Sequence, residues 1–196
     1  TYNPGSVDQM EGPKEERDRR HKPFLHLVRG ICLDLGTGFG RLVPDLLSKS
    51  DRVVAVDLSR HLLSMVPEYM ERSDVGSQRL DVVCCDARWL PFREASFDSV
   101  ISIGMLSHIL GPDRVLRQVR WVLKTDGSAF LEFMERRRRW LSIVPRFYYG
   151  RQYWEKRKAG KLMREAGFKI ISFCDTQSSS DGIQRTYSVL VSPTNP

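Results

Sequence analysis

Three glycines at alternate positions, Gly36, Gly38 and Gly40, stand between two short apolar runs and limit what this chain can fold into more than any other feature. The first run, Ile31 to Leu35, is too brief for a helix and reads as a buried strand that Gly36 closes. Glycine alone tolerates positive φ and leaves its backbone open to a ligand, so the strand can turn sharply there and pass into a helix over 41–48. The second run, Val53 to Val56, ends in Asp57, 21 residues after Gly36. Strand, glycine turn, helix and strand with a terminal carboxylate form one parallel unit.

A nucleoside lying across the carboxyl ends of two parallel strands needs bare backbone under its sugar and an anionic acceptor for its ribose hydroxyls. Asp57 suits that acceptor. The dinucleotide fingerprint places its third glycine three positions after the second, where this chain has Arg41; Gly40 comes two positions on, which disfavours NAD or FAD. With its acid, LDLGTGFG followed by VVAVD resembles the cofactor motifs of class I S-adenosylmethionine-dependent methyltransferases. Within that family the chain resembles the small single-domain type 11, ubiquinone-biosynthesis-like group.

That resemblance implies a Rossmann-like α/β fold: a doubly wound, seven-stranded, mostly parallel sheet with a C-terminal antiparallel strand pair. Residue patterns agree along the chain. Ser59 is a plausible N-cap for a helix over 59–72 that Pro67 kinks or ends, and Leu80 to Cys85 reads as a third strand. Phe97 to Ile103 is a fourth strand, Asp113 to Lys124 an amphipathic helix ended by Asp126-Gly127, and Ser128 to Phe133 a fifth strand. Lys156 to Ala166 is a helix. Lys169 to Cys174 and Arg185 to Val191 pair as a hairpin. Residues 1–22 form a polar arm, 23–196 one methyltransferase domain, and 135–155 a basic, aromatic insertion on the acceptor side.

The resemblance assigns the cofactor S-adenosylmethionine, with S-adenosylhomocysteine as product, to Asp34, Gly36, Thr37, Gly38, Gly40, Asp57, Leu58, Asp86, Ala87, Ile103 and Gly104. In that family the acid at Asp86 accepts from the adenine amine; the lesser reading from sequence alone is that it caps a turn. His108 is either a pocket residue or general base, as an imidazole titrating near neutral pH can be, or a packing residue at a helix start. Tyr148, Tyr149 and Tyr153 are candidates for the acceptor pocket.

Charge is uneven. Residues 136–164 hold eleven Lys and Arg against Glu155 alone, a net +10, whereas the whole chain carries +7. Cations interleaved with aromatic rings suit phosphate and base contact, an anionic small molecule or a lipid headgroup surface, and equally a solvated rim around packed aromatics. The leading acceptor is a small molecule, because neither an Asn/Asp-Pro-Pro-Tyr run nor a Pro-Cys dipeptide marks the chain as a nucleic-acid base methylase. Alternatives are tRNA or other RNA held by 136–164, or a non-catalytic S-adenosylmethionine-binding partner subunit. The four cysteines fall in predicted strands without a CxxC pair and fit buried, reduced thiols, and no metal site is expected. No apolar run approaches the about 18 residues of a membrane span. The expectation is therefore a cytoplasmic monomer or homodimer.

Overall fold

A computed structural model describes residues 24–73, 75–136, 147–148, 151–178 and 184–194. Its strands are β1 (Ile31–Leu35), β2 (Arg52–Asp57), β3 (Leu80–Cys84), β4 (Phe97–Ser102), β5 (Leu123–Arg136), β6 (Phe147–Tyr148), β7 (Arg151–Gln152), β8 (Phe168–Ser178) and β9 (Gln184–Pro193). The helices are α1 (Val43–Leu47), α2 (Arg60–Ser64), α3 (Val66–Glu71), α4 (Asp113–Val122) and α5 (Lys156–Glu165), with short 3₁₀ turns at Ser77–Arg79 and Met105–His108. Seven strands form one sheet in the order β3-β2-β1-β4-β5-β9-β8. Neighbours from β3 to β5 run parallel, and β9 is antiparallel to both β5 and β8. The order reverses between β1 and β4, which opens a crevice at the carboxyl ends of those strands.

Both faces of the sheet are apolar because its inner strands bury alternate residues on opposite sides. Cys32, Val53, Ala55, Ile101 and Phe130 pack under Leu42, Val43, Leu46, Leu47, Leu63, Val66 and Met70 of the α1 to α3 side. Leu33, Leu35, Val54, Val56, Val100 and Leu131 pack under α4 and α5 through Val115, Leu116, Val119, Val122, Ala159 and Met163. The sheet is thus doubly wound. Phe24, fully buried, joins the first layer with its ring 4.6 Å from that of Phe130, so the apolar stretch after residue 23 docks over β5 as well as beside β1.

Ser59 is the expected cap, its Oγ accepting from Leu62 N at 3.2 Å, and the helix ends before Pro67, which stands in the first turn of a second helix that starts at Val66. The larger correction is at α4. It ends at Val122, two residues early, and the chain passes straight into β5 at Leu123. Leu123 is buried and pairs with Phe97, while Lys124 reaches Asp98 at 2.8 Å, so strand pairing overrides the helical spacing. Cys32 is buried, Cys85 and Cys174 are half-buried and Cys84, against expectation, is exposed at the end of the sheet's edge strand β3. The arm at 1–22 and the run 137–146 lie outside the described residues.

Candidate cofactor and acceptor site

The glycine turn occupies the crevice, and its three glycines serve three ends. Gly36 has φ +81°, and a Cβ there would lie 2.5 Å from the Cβ of Met105, which follows β4. Gly38 has φ +62° and no atom within 4 Å of an added Cβ, so its backbone faces open space. Gly40, at φ +88°, faces the Val66 methyls at 3.2 Å and lets α3 close on the turn. The Gly36 and Thr37 amides donate to Val56 O at 2.8 and 2.9 Å, which ties the turn to β2.

Asp57 stands beside that open backbone. Its Oδ2 accepts from Gly38 N at 2.9 Å and its Oδ1 from Ser59 N at 2.8 Å. Each oxygen keeps a further lone pair for an incoming hydroxyl. Leu58, next along, is 67% exposed. Asp34 lies buried in β1 and accepts from Thr37 Oγ1 at 2.6 Å. Burial pushes its carboxyl up to about 6; Thr37 opposes the shift, Asp57 adds to it and Arg41 opposes it.

Asp86 follows β3, where Cys85 N donates to Asp57 O at 3.1 Å and brings the two acids to neighbouring strand ends. Arg88 grips Asp86: its backbone N and Nε reach Oδ1 at 2.8 and 3.0 Å, and its Nη2 reaches Oδ2 at 2.6 Å. These bonds hold the Asp86 carboxyl below the usual carboxylate range. Nε also reaches Oδ2 at 3.1 Å, so each carboxylate oxygen of Asp86 accepts twice from Arg88. Ala87 is buried.

Ile103 is half-buried, and Gly104, at φ +81°, turns the chain into the Met105–His108 turn with open space at its own Cβ position. Ser107 is buried and donates to Gly104 O at 2.8 Å, and His108 is exposed at the end of that turn. The strand β7 lies beside the same turn, and Tyr148 pairs with its Arg151. Tyr153 is half-buried just beyond, and Tyr149 is outside the described residues. Sequence reasoning passed over Arg88, and Glu132, which is 2% exposed within β5. A lone acid inside the apolar run AFLEF was the available signal for Glu132. Among the described residues no cluster of three His, Cys, Asp or Glu could hold a metal ion.

The methyltransferase domain family matches residues 33–131, from β1 into β5. The chain belongs to that family, in its class I, type 11 group. This methyltransferase chain is 28% identical over 133 residues to the ubiquinone/menaquinone biosynthesis C-methyltransferase UbiE of Geotalea uraniireducens, covering 65% of this chain and 56% of that one. It spans 29–56% of the length of three curated relatives. Among solved structures, the Burkholderia thailandensis 1,6-didemethyltoxoflavin-N1-methyltransferase, with that compound and S-adenosylhomocysteine bound, superposes with a TM-score of 0.72 at 21% identity, covering 97% of this chain and 82% of that one. The [4+2]-cyclase SpnF superposes at 0.77 with 17% identity, covering 91% and 81%.

S-adenosylmethionine is the cofactor of this methyltransferase family, and the residues fit it. The open backbone at Gly38 has room for the sugar, Asp57 has lone pairs for its hydroxyls, Leu58 offers an uncovered apolar face to a base, and Asp86 stands at the next strand end, where an exocyclic amine would take the place of an Arg88 donor.

Proposed function

We propose that this chain transfers a methyl group from S-adenosylmethionine to a small-molecule acceptor by in-line displacement, with residues 23–196 acting as one domain. The observation that carries the reading is the Asp57 carboxylate bridging Gly38 N and Ser59 N beside open backbone. When bound, S-adenosylmethionine supplies a methyl carbon on a positively charged sulfur that accepts an electron pair from the acceptor.

The residues then have positioning work. Gly36, Gly38 and Gly104 give close backbone approach on either side of the crevice, Asp57 and Asp86 hold the two ends of the nucleoside, and Asp34 supplies negative charge toward the cationic end. Positioning of this kind can account for about 7–11 kcal/mol of a displacement barrier. His108 takes the proton at the acceptor atom where the acceptor must lose one, and Tyr148, Tyr149 and Tyr153 shape the acceptor pocket. The named chemistries of the relatives, carbon methylation by UbiE and nitrogen methylation of the toxoflavin precursor, support a small acceptor. RNA recognition by 136–164 is less favoured, because in α5 Lys156, Lys158 and Lys161 already pair with Asp175, Glu155 and Glu165.

The test is transfer of labelled methyl from S-adenosylmethionine to a panel of quinols, phenols, heteroaromatic amines and bulk tRNA. Label in a small acceptor, lost in Asp57→Ala, supports the proposal. Label in tRNA alone refutes the small acceptor, and binding of S-adenosylhomocysteine with no transfer to any acceptor class points to a partner subunit.

A further inference from the structure

The two acids at neighbouring strand ends, Asp57 and Asp86, differ in what holds them. Each Asp57 oxygen accepts from one backbone amide and keeps a lone pair for a hydroxyl. Asp86 has none to spare. Its Oδ1 accepts from the backbone N and the Nε of Arg88, and its Oδ2 from the Nη2 and the same Nε, which fills the lone pairs of both oxygens. All these donors belong to one residue, and only the first is backbone.

The guanidinium is not what shapes this loop. Trp89 N donates to Asp86 O at 2.8 Å, and Leu90 N to Gln118 Oε1 at 2.9 Å, so the turn is closed by backbone and anchored on α4. The Arg88 backbone N, at 2.8 Å from Oδ1, orients the carboxylate whatever the side chain does. The two side chains are 49% and 26% exposed, so a displaced guanidinium passes into water and regains rotamer freedom. Exposed ion pairs of this kind are weak enough for an incoming donor to replace. The bonds from Arg88 hold the Asp86 carboxyl down, and the charge of Arg114 acts in the same direction, so Asp86 stays an ionised acceptor once the guanidinium has left.

We propose that Arg88 is an internal competitor at the base end of the cofactor site: its guanidinium holds the Asp86 carboxylate that the adenine amine needs, and the amine displaces it on binding. Arg88 thereby sets cofactor affinity. The inference rests on the reading of this crevice as an S-adenosylmethionine site with the base at Asp86. A purine bearing oxygen in place of the amine has no donor to offer Asp86 and accepts from the guanidinium instead, so removal of Arg88 favours the amine-bearing ring alone.

The experiment is calorimetric titration of the parent, Arg88→Ala and Arg88→Met with S-adenosylhomocysteine and with S-inosylhomocysteine, in which oxygen replaces the amine, at low and at high KCl. Arg88→Met keeps the apolar stem and removes the donors. The expected result is that both variants bind S-adenosylhomocysteine about three- to fivefold more tightly than the parent at low salt. The gain shrinks at high salt, where the half-exposed ion pair of the parent is screened, and is absent with S-inosylhomocysteine. Equal or weaker binding of S-adenosylhomocysteine by the variants, or an equal gain for both compounds, overturns the competition and leaves the cofactor site standing. Loss of the fold in both variants, read by thermal melting, also overturns it, because the guanidinium then has a structural role. No binding of S-adenosylhomocysteine by parent or variants overturns the cofactor reading, and the competition with it.

Discussion

Asp34 and Asp57 are two carboxylates at one glycine turn with opposite surroundings. Asp57 is half-buried and braced by two backbone amides, whereas Asp34 is buried with one hydroxyl donor. Burial raises the Asp34 carboxyl to about 6, above the near 3.9 of an unfolded chain. The folded state therefore holds this proton more tightly, so its contribution to stability is full below the unfolded value and is lost as pH rises through about 6. At most about 3 kcal/mol is involved, from two pKa units at 1.36 kcal/mol each. Asp34→Asn, which stays neutral and keeps an acceptor for Thr37, should become more stable relative to the parent between pH 4 and pH 7. Urea unfolding at both pH values measures it, and an unchanged difference between the two proteins contradicts the assignment. A cationic cofactor end favours the charged form of Asp34. Affinity of the parent for S-adenosylhomocysteine should accordingly fall as pH drops through 6, and titration calorimetry at pH 5 and pH 8 checks this.

At the scale of the element, the turn and its partner loop separate folding from binding. Gly36→Ala would force a Cβ to within 2.5 Å of Met105 at φ +81° and should cost about 2–4 kcal/mol, overpacking and backbone strain together. Gly38→Ala meets nothing within 4 Å and should cost only about 1–2 kcal/mol in strain, yet it fills the open backbone and should weaken S-adenosylhomocysteine binding at least about tenfold. Melting temperatures and ligand titrations of the pair separate the effects; equal losses of stability would contradict this division. The turn was legible in the sequence because glycine, apolar runs and a terminal acid are local signals. So was the split at Pro67. The end of α4 was not, because Leu123 and Lys124 continue the helical spacing while their partners, Phe97 and Asp98, lie on another strand. The Arg88 grip on Asp86 escaped for a similar reason: two residues apart in a loop, the pair makes no periodic pattern.

Over the whole molecule, the fold was readable because the strands bury residues on both faces and the segments between them have one apolar side. The strand β9 pairs antiparallel with both β5 and β8 and so lies between them. What the sequence could not convey is which loops gather at one end. Topology alone brings Asp34, Asp57, Asp86 and Gly104 to the same crevice. The central claim is that this crevice is an S-adenosylmethionine site. It is tested most directly by thermal unfolding with S-adenosylhomocysteine or NAD, for the parent and Asp57→Ala. At a hundred times its dissociation constant a ligand adds about 2.7 kcal/mol, about 5–10 °C for a domain of this size. The account predicts that shift with S-adenosylhomocysteine, none with NAD, and its loss in Asp57→Ala. A shift with NAD instead, or none at millimolar S-adenosylhomocysteine, would contradict it.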